Sequence, residues 1–155
     1  MLYRVDFSQA HFRWLYQPLY EKVYTFYLEQ GEYKEDVNSR FMRMVACDPS
    51  LYILIKFKNE DYTNITCFCV INIVPFGPKN VQASVEAIES SGDSTFAQEI
   101  LDYIEKTIKA QYPNLTRILM LCQYNKHRAF SKKYGFDTYR VVMVKDVKEL
   151  DSGST

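Results

Sequence analysis

Arg117-Ile-Leu-Met-Leu-Cys122, the run Lys126 to Tyr134, the pair Gly135-Phe136 and Tyr139-Arg-Val-Val-Met-Val144 decide how this chain folds. The first and last runs are apolar and suit strands, and the middle run is basic with helical spacing. Gly135 stops the helix without the penalty a Cβ brings in the left-handed conformation. Between Thr116 and Asp146 the sequence therefore predicts a strand, a helix of about three turns, a glycine stop and a returning strand. In a sheet enzyme such a unit builds one wall of a cleft.

Upstream lies the best helix pattern of the chain. Ala97, Ile100, Leu101, Ile104 and Ile108 repeat at helical spacing, Thr95 with Gln98 has the form of a capping box, and Pro113 ends the run. The turn Ser90-Ser-Gly-Asp-Ser94 leads into it. Before that turn, Val81 to Ile88 alternates as a strand, with Val81, Ala83, Val85 and Ala87 on one side. Leu51–Phe57 and Thr66–Val74 read as a hairpin around the polar turn Lys58–Asn64. Lys34–Ala46 reads as a helix, with Val37, Phe41, Met44 and Val45 as its stripe. Leu19, Val23, Phe26 and Tyr27 mark another helix, which Gly31 stops. Ser8 is the expected N-cap of a helix from Gln9, and Leu2–Phe7 the first strand. The order predicts an α/β domain: a mixed, mostly antiparallel sheet with helices on both faces. One domain over residues 1–150 and a frayed tail over 151–155 are expected.

Composition removes several function classes. Of 155 residues, 47% are apolar and 25% charged, as in ordinary globular proteins. Formal net charge is zero, without the basic excess that neutralises phosphates, so nucleic acid is not an expected partner. No apolar run approaches about 18 residues, so no membrane span is expected, and the first residues lack a secretory core. A cytoplasmic location is expected. Four cysteines without a Cys-x-x-Cys pair, and only two histidines, argue against a metal site and for buried thiols. Thirteen Tyr and ten Phe supply rings for a core or for contact surfaces. They are dense from His11 to Tyr27.

The order of elements over about residues 2 to 147, together with Asn125-Lys-His-Arg-Ala-Phe-Ser-Lys-Lys-Tyr-Gly-Phe136, resembles the GCN5-related N-acetyltransferase (GNAT) fold. That resemblance implies a GNAT-like sheet opening between its fourth and fifth strands to admit acetyl-CoA. It places the pyrophosphate on the helix after strand four, at Ser91, Gly92, Asp93, Ser94 and Thr95, with Asn125 beside the cofactor. Backbone N–H groups and the helix dipole favour an anion there. Here the family's glycine-rich cradle keeps one glycine, Gly92, lacks its basic lead residue and carries Glu89 and Asp93. The family's acidic tyrosine, four residues before the glycine of Gly-Phe, is replaced by Ser131, a poor proton donor. Tyr124 is the substitute acid the resemblance offers. Glu86 or Glu89 is the general base it offers, and Glu86 points either into the cleft or into solvent.

Short GNAT-like proteins of tailed bacteriophages have a similar ending, with His127, Phe130 and Gly135 at matching spacing. They often share both departures, and one from T7-like phages is classed with internal virion proteins. Two functions stay open. One is an N-acetyltransferase using acetyl-CoA on an unknown amine. The other is a GNAT-fold protein that has lost catalysis, needs no cofactor and works through protein partners, in the host cytoplasm or a virion. The cluster Lys126, His127, Arg128, Lys132 and Lys133 either meets the adenosine 3′-phosphate, a nucleic-acid backbone or an acidic protein partner, or is a solvated helix face.

Overall fold

The computed structural model describes residues 1–59, 61–121, 130–138, 143 and 145–147. The chain divides into two compact units, Met1–Cys122 and Gln123–Thr155. In the first unit a five-stranded sheet runs β1 (Tyr3–Arg4), β2 (Leu51–Lys58), β3 (Asp61–Phe76), β4 (Asn80–Glu89) and β5 (Leu115–Met120), in that spatial order. The first three pairings are antiparallel and β4 with β5 is parallel. The expected mixed, mostly antiparallel α/β sheet is thus observed. Its parallel pair needs a crossover, which the helix after β4 provides.

Each face of the sheet has its own apolar core. A short 3₁₀ segment (Ala10–Leu15), α1 (Tyr16–Glu29) and α2 (Lys34–Val45) cover one face. Leu15, Leu19, Val23, Val37 and Phe41 are buried there against Ile53, Ile55, Phe68 and Val70. On the other face α3 (Phe96–Tyr103) buries Phe96 and Ile100 against Tyr52, Leu54, Cys67, Cys69, Ala83 and Val85. The two cysteines share that face, as alternation from residue 67 to 69 requires. Cys47 departs from the expectation: its thiol is exposed, at a backbone φ of 58°.

The helix continues past α3 as a π turn over Ile104–Ile108 and ends at Gln111. Ile100, Ile104 and Ile108 recur every four residues, so on a regular α-helix each would drift about 40° round the axis. The wider π turn offsets that drift, and all three stay fully buried.

Three local expectations fail for identifiable reasons. Ser8 does not cap the first helix; its amide and hydroxyl both bond Asp6 Oδ1, at 3.0 and 2.6 Å, and the 3₁₀ segment starts after Gln9. The hairpin turn is tighter than Lys58–Asn64, because the polar residues from Asp61 onward already belong to β3 and Asn59 takes the left-handed φ of 54°. Finally, β4 holds a bulge. Val70 pairs with Ala87 and Ile71 with Val85, so Glu86 has no partner on β3. Ala83 and Val85 therefore face α3, whereas Ala87 joins the core under α1 and α2.

In the second unit, residues 130–134 are helical and Gly135 adopts a φ of 73°, the left-handed stop read from the sequence. Phe136 donates its amide to the Phe130 carbonyl at 3.3 Å and sets its ring edge-on to Phe130 at 5.9 Å. The expected helix start at Lys126–Ala129, most of the Tyr139–Val144 strand and the tail 151–155 lie outside the described residues.

Candidate functional site

The turn from β4 into α3 is where the resemblance places a pyrophosphate. Ser91 and Gly92 both carry positive φ, 44° and 82°, so the chain reverses within two residues. Gly92 tolerates this conformation; Ser91 adopts it at a cost. The Asp93 amide donates to the Ser90 carbonyl at 2.8 Å, which closes the turn. Cys67 donates its thiol to the same carbonyl at 3.1 Å.

Asp93 fills the place of an anion. Its Oδ1 accepts from the Thr95 amide at 2.9 Å and the Thr95 hydroxyl at 2.8 Å, while Oδ2 meets Lys56 Nζ at 2.6 Å. Lys56 also reaches Glu99 at 3.1 Å, and the Thr95 hydroxyl reaches Glu99 at 3.2 Å. The capping box is not formed: Gln98 bonds Asp102 instead, and Thr95 makes no side-chain cap. Bonds from Lys56, then from Thr95, hold the Asp93 carboxyl well below the usual carboxylate range. Burial opposes a charge on Lys56, whose side chain is only 14% exposed, but its bonds to Asp93 and Glu99 outweigh that and raise its pKa. The helix dipole is thus met by the protein's own carboxylates. One lysine against two carboxylates leaves the cluster negative, so a pyrophosphate meets repulsion there.

A second polar group lies on the opposite face, beneath α1 and α2. From α2, Arg43 donates to Asn72 Oδ1 at 3.1 Å, and Asn72 donates to Glu86 Oε1 at 3.2 Å. Asn72 pairs with Ser84 and Val74 with Gln82, so Ser84 and Gln82 share the face of Asn72. Arg117 on β5 donates to Gln82 at 2.7 Å. The β4–β5 ladder ends at Val85 with Met120, and among the described residues Glu86 to Glu89 pair only with β3. Glu86 is therefore half-buried at the point where the parallel pair stops.

Tyr27 of α1 packs above this row. It is 4% exposed, and its hydroxyl is buried without a hydrogen-bond partner among the described residues. The Arg40 guanidinium stacks on its ring at 4.8 Å. Desolvation, partly offset by Arg40 and reinforced by Glu86, pushes its pKa up to about 12. The hydroxyl is therefore protonated at neutral pH. Because a buried, unsatisfied hydroxyl costs about 1–3 kcal/mol, Tyr27→Phe is expected to raise the unfolding free energy by about 1 kcal/mol, read by urea denaturation.

The structure thus separates the expected site residues. Ser91, Gly92, Ser94 and Thr95 are exposed on the turn, and Asp93 is half-buried within it, tied to Lys56. Glu89 ends β4, with only a long 3.5 Å contact from the Ser91 hydroxyl. Glu86 stands apart, under α1 and α2. Tyr124, Asn125 and most of the basic cluster lie outside the described residues; Lys132 and Lys133 are exposed. Sequence reading missed Lys56, Tyr27, Asn72 and Arg43. Lys56 had a legible signal: it is a lysine on the side of Tyr52 and Leu54, in a strand otherwise apolar up to Phe57. Among the described residues no group of three or more His, Cys, Asp or Glu is placed to hold a metal, and no helix is long and apolar enough to cross a membrane.

No protein-family model matches the sequence, and no curated protein matches it either. Solved structures do match. Glucosamine-6-phosphate N-acetyltransferase from Arabidopsis thaliana is 11% identical, with a TM-score of 0.61, covering 96% of this chain and 98% of its own. A Trypanosoma brucei acetyltransferase is 12% identical, with a TM-score of 0.64 over 95% and 99%. A predicted acetyltransferase with acetyl-CoA from Clostridium acetobutylicum is 16% identical, with a TM-score of 0.61 over 94% and 95%. At such identities the likeness is one of architecture: the chain has the GNAT acetyltransferase fold.

Proposed function

We propose that this chain is a GNAT-fold protein whose acyl-CoA cradle is closed by its own ions and which works by protein contact, as part of a tailed-phage particle or its assembly. The observation that carries the reading is the Lys56–Asp93 pair, 2.6 Å long, at the start of α3. A cofactor phosphate must displace Asp93 from the Thr95 amide and then sit beside Glu99 and the displaced carboxylate. Each exposed or half-exposed repulsion weakens binding by about 1 kcal/mol. The phage ending at His127, Phe130 and Gly135 supports the setting. Trp14, Tyr16 and Tyr62, exposed by 47%, 41% and 51%, are the anchors such a contact would use.

A second reading is an active N-acetyltransferase. Glu86 favours it, because this half-buried carboxylate has an amide donor, Asn72, and no ion pair among the described residues. In that reading acetyl-CoA supplies the acyl group, and the chain's own residues bind the amine and take its proton at Glu86. One experiment divides the two: calorimetry of the full chain with acetyl-CoA. No heat is expected up to millimolar ligand. Micromolar binding would overturn the contact reading and establish the second.

A further inference from the structure

We propose that the recess between the end of β1 and the turn from α2 into β2 is a socket for an arginine side chain of a protein partner. This rests on the contact reading above and names what that contact recognises. Residues 4–8 and 47–49 form the walls of the recess. Because β1 to β4 pair antiparallel in turn, it lies at the end of the sheet opposite the turn from β4 into α3. It also sits at the β1–β2 edge, at least two strand spacings, about 10 Å, from β4. It is therefore separate from the acyl-CoA cradle and from the polar row at Glu86. Its volume is about 220 Å³. Pockets for whole small molecules run to about 300–1,000 Å³, so this one has room for a single long side chain.

The lining defines that side chain. Val5, Phe7, Met44, Leu51 and Ile53 make an apolar floor. They keep 3% to 8% of their surface in contact with water, whereas Leu15, Leu19, Val23 and Val37 of the same core keep none. The core is left unfilled at this place, and an aliphatic stem suits it. The rim offers acceptors. Asp6 uses Oδ1 for the Ser8 amide and hydroxyl, while Oδ2 has only a long 3.5 Å contact from the Gln9 side chain. Bonds from Ser8 hold the Asp6 carboxyl below the usual range, so it is charged at neutral pH. Among the described residues no cation pairs with it. Arg43 is taken by Asp48 at 3.0 Å, and the Arg4 guanidinium stacks on the Tyr52 ring at 4.0 Å, on the α3 side of the sheet. The Ser8 hydroxyl has given its proton to Asp6 and keeps only acceptor capacity. Acceptors carried on two loops, Asp6 with Ser8 and Asp48, suit the five-donor fork of a guanidinium better than a compact ammonium. The guanidinium is also the more weakly hydrated of the two, which favours entry over an apolar floor.

The test is an NMR titration of the full chain, ¹⁵N-labelled, with the capped tripeptide acetyl-Gly-Arg-Gly-amide and its lysine and norleucine counterparts. The arginine peptide is expected to bind at millimolar concentration, as suits a fragment, with shifts centred on the amides of Ser8, Cys47 and Leu51. The lysine peptide is expected to bind about fivefold more weakly, and the uncharged norleucine peptide about tenfold. Asp6→Asn keeps an oxygen for the Ser8 turn and is expected to hold the arginine peptide no better than the norleucine one. Cys47→Arg, at an exposed position on the wall, leaves Asp6 and its turn intact. It offers the recess a guanidinium of the chain's own and is expected to abolish binding. An unchanged urea midpoint for Cys47→Arg separates lost recognition from unfolding. The contact reading stands or falls on acetyl-CoA, which is absent from this titration, so each can fail alone. The socket is overturned if the arginine peptide does not shift these amides, if the lysine or norleucine peptide binds as tightly, or if either variant binds the arginine peptide unchanged.

Discussion

Replacing Lys56 by Ala is expected to lower the unfolding free energy by about 2–3 kcal/mol at neutral pH, measured by urea denaturation. Removing one partner of a buried pair leaves the other uncompensated, which costs about 3–5 kcal/mol when fully buried. Asp93 and Glu99 keep 29% and 38% of their side-chain exposure, so the expected loss is smaller. The triple variant Lys56→Ala, Asp93→Asn, Glu99→Gln is expected to recover most of it, because no charge is then stranded. Full additivity of the three losses would refute the cluster as a unit. Acid gives a second reading of the same cluster. The Asp93 pKa is lowered on folding, so its contribution is present above the unfolded value of about 3.9 and fades as pH falls below it. The Lys56 pKa is raised, so its contribution is present below about 10.4 and fades above it. Wild type is expected to lose more stability than the triple variant on acidification from pH 5 to about pH 2.

Phe96→Ala is expected to cost more, about 3–5 kcal/mol. Phe96 is the first residue of α3 and fully buried, between the ion cluster and the sheet. Its ring packs in one core with Tyr52, Leu54, Cys67 and Val85. Deleting it opens a cavity at the only end of α3 that carries the Asp93 turn. Far-UV circular dichroism during thermal unfolding is expected to show a transition lowered by about 6–20 °C, taking about 2–4 °C per kcal/mol for a chain of this size. A shift under about 2 °C, less than about one kcal/mol by that scale, would mean that α3 is held by Ile100, Ile104 and Ile108 alone.

Much of the fold was legible because periodicity reports which side of an element is covered. Val37, Phe41 and Met44 on α2, and Ile100, Ile104 and Ile108 beyond it, are buried as their spacing requires. What periodicity hides is any residue added to the count. The bulge at Glu86 sent Ala87 to the face opposite Val85, against the simple alternation. Capping patterns misled for another reason. Thr95 and Gln98 look like a box, but Lys56 comes from 39 positions earlier and recruits Asp93 and Glu99, leaving Thr95 to bond them instead. The site was readable only where chemistry is local. The glycine-poor, acidic turn at 89–95 was visible; the cation opposite it and the hydroxyl of Tyr27 above Glu86 depend on tertiary meetings.

The extra residue in β4 also sets a rule of length. Ten residues, Asn80–Glu89, span what nine would cover in a regular ladder, so the strand's two halves are out of phase. Excising residue 86 would restore the regular ladder with every neighbour on its present face: Val85 opposite Ile71 beneath α3, Ala87 opposite Val70 beneath α1 and α2, and Ile88 opposite Cys69. A chain shortened there keeps its sheet and both cores and loses the Glu86 carboxylate, so the polar row beneath α1 can lose its acid to one deleted codon without any loss of fold.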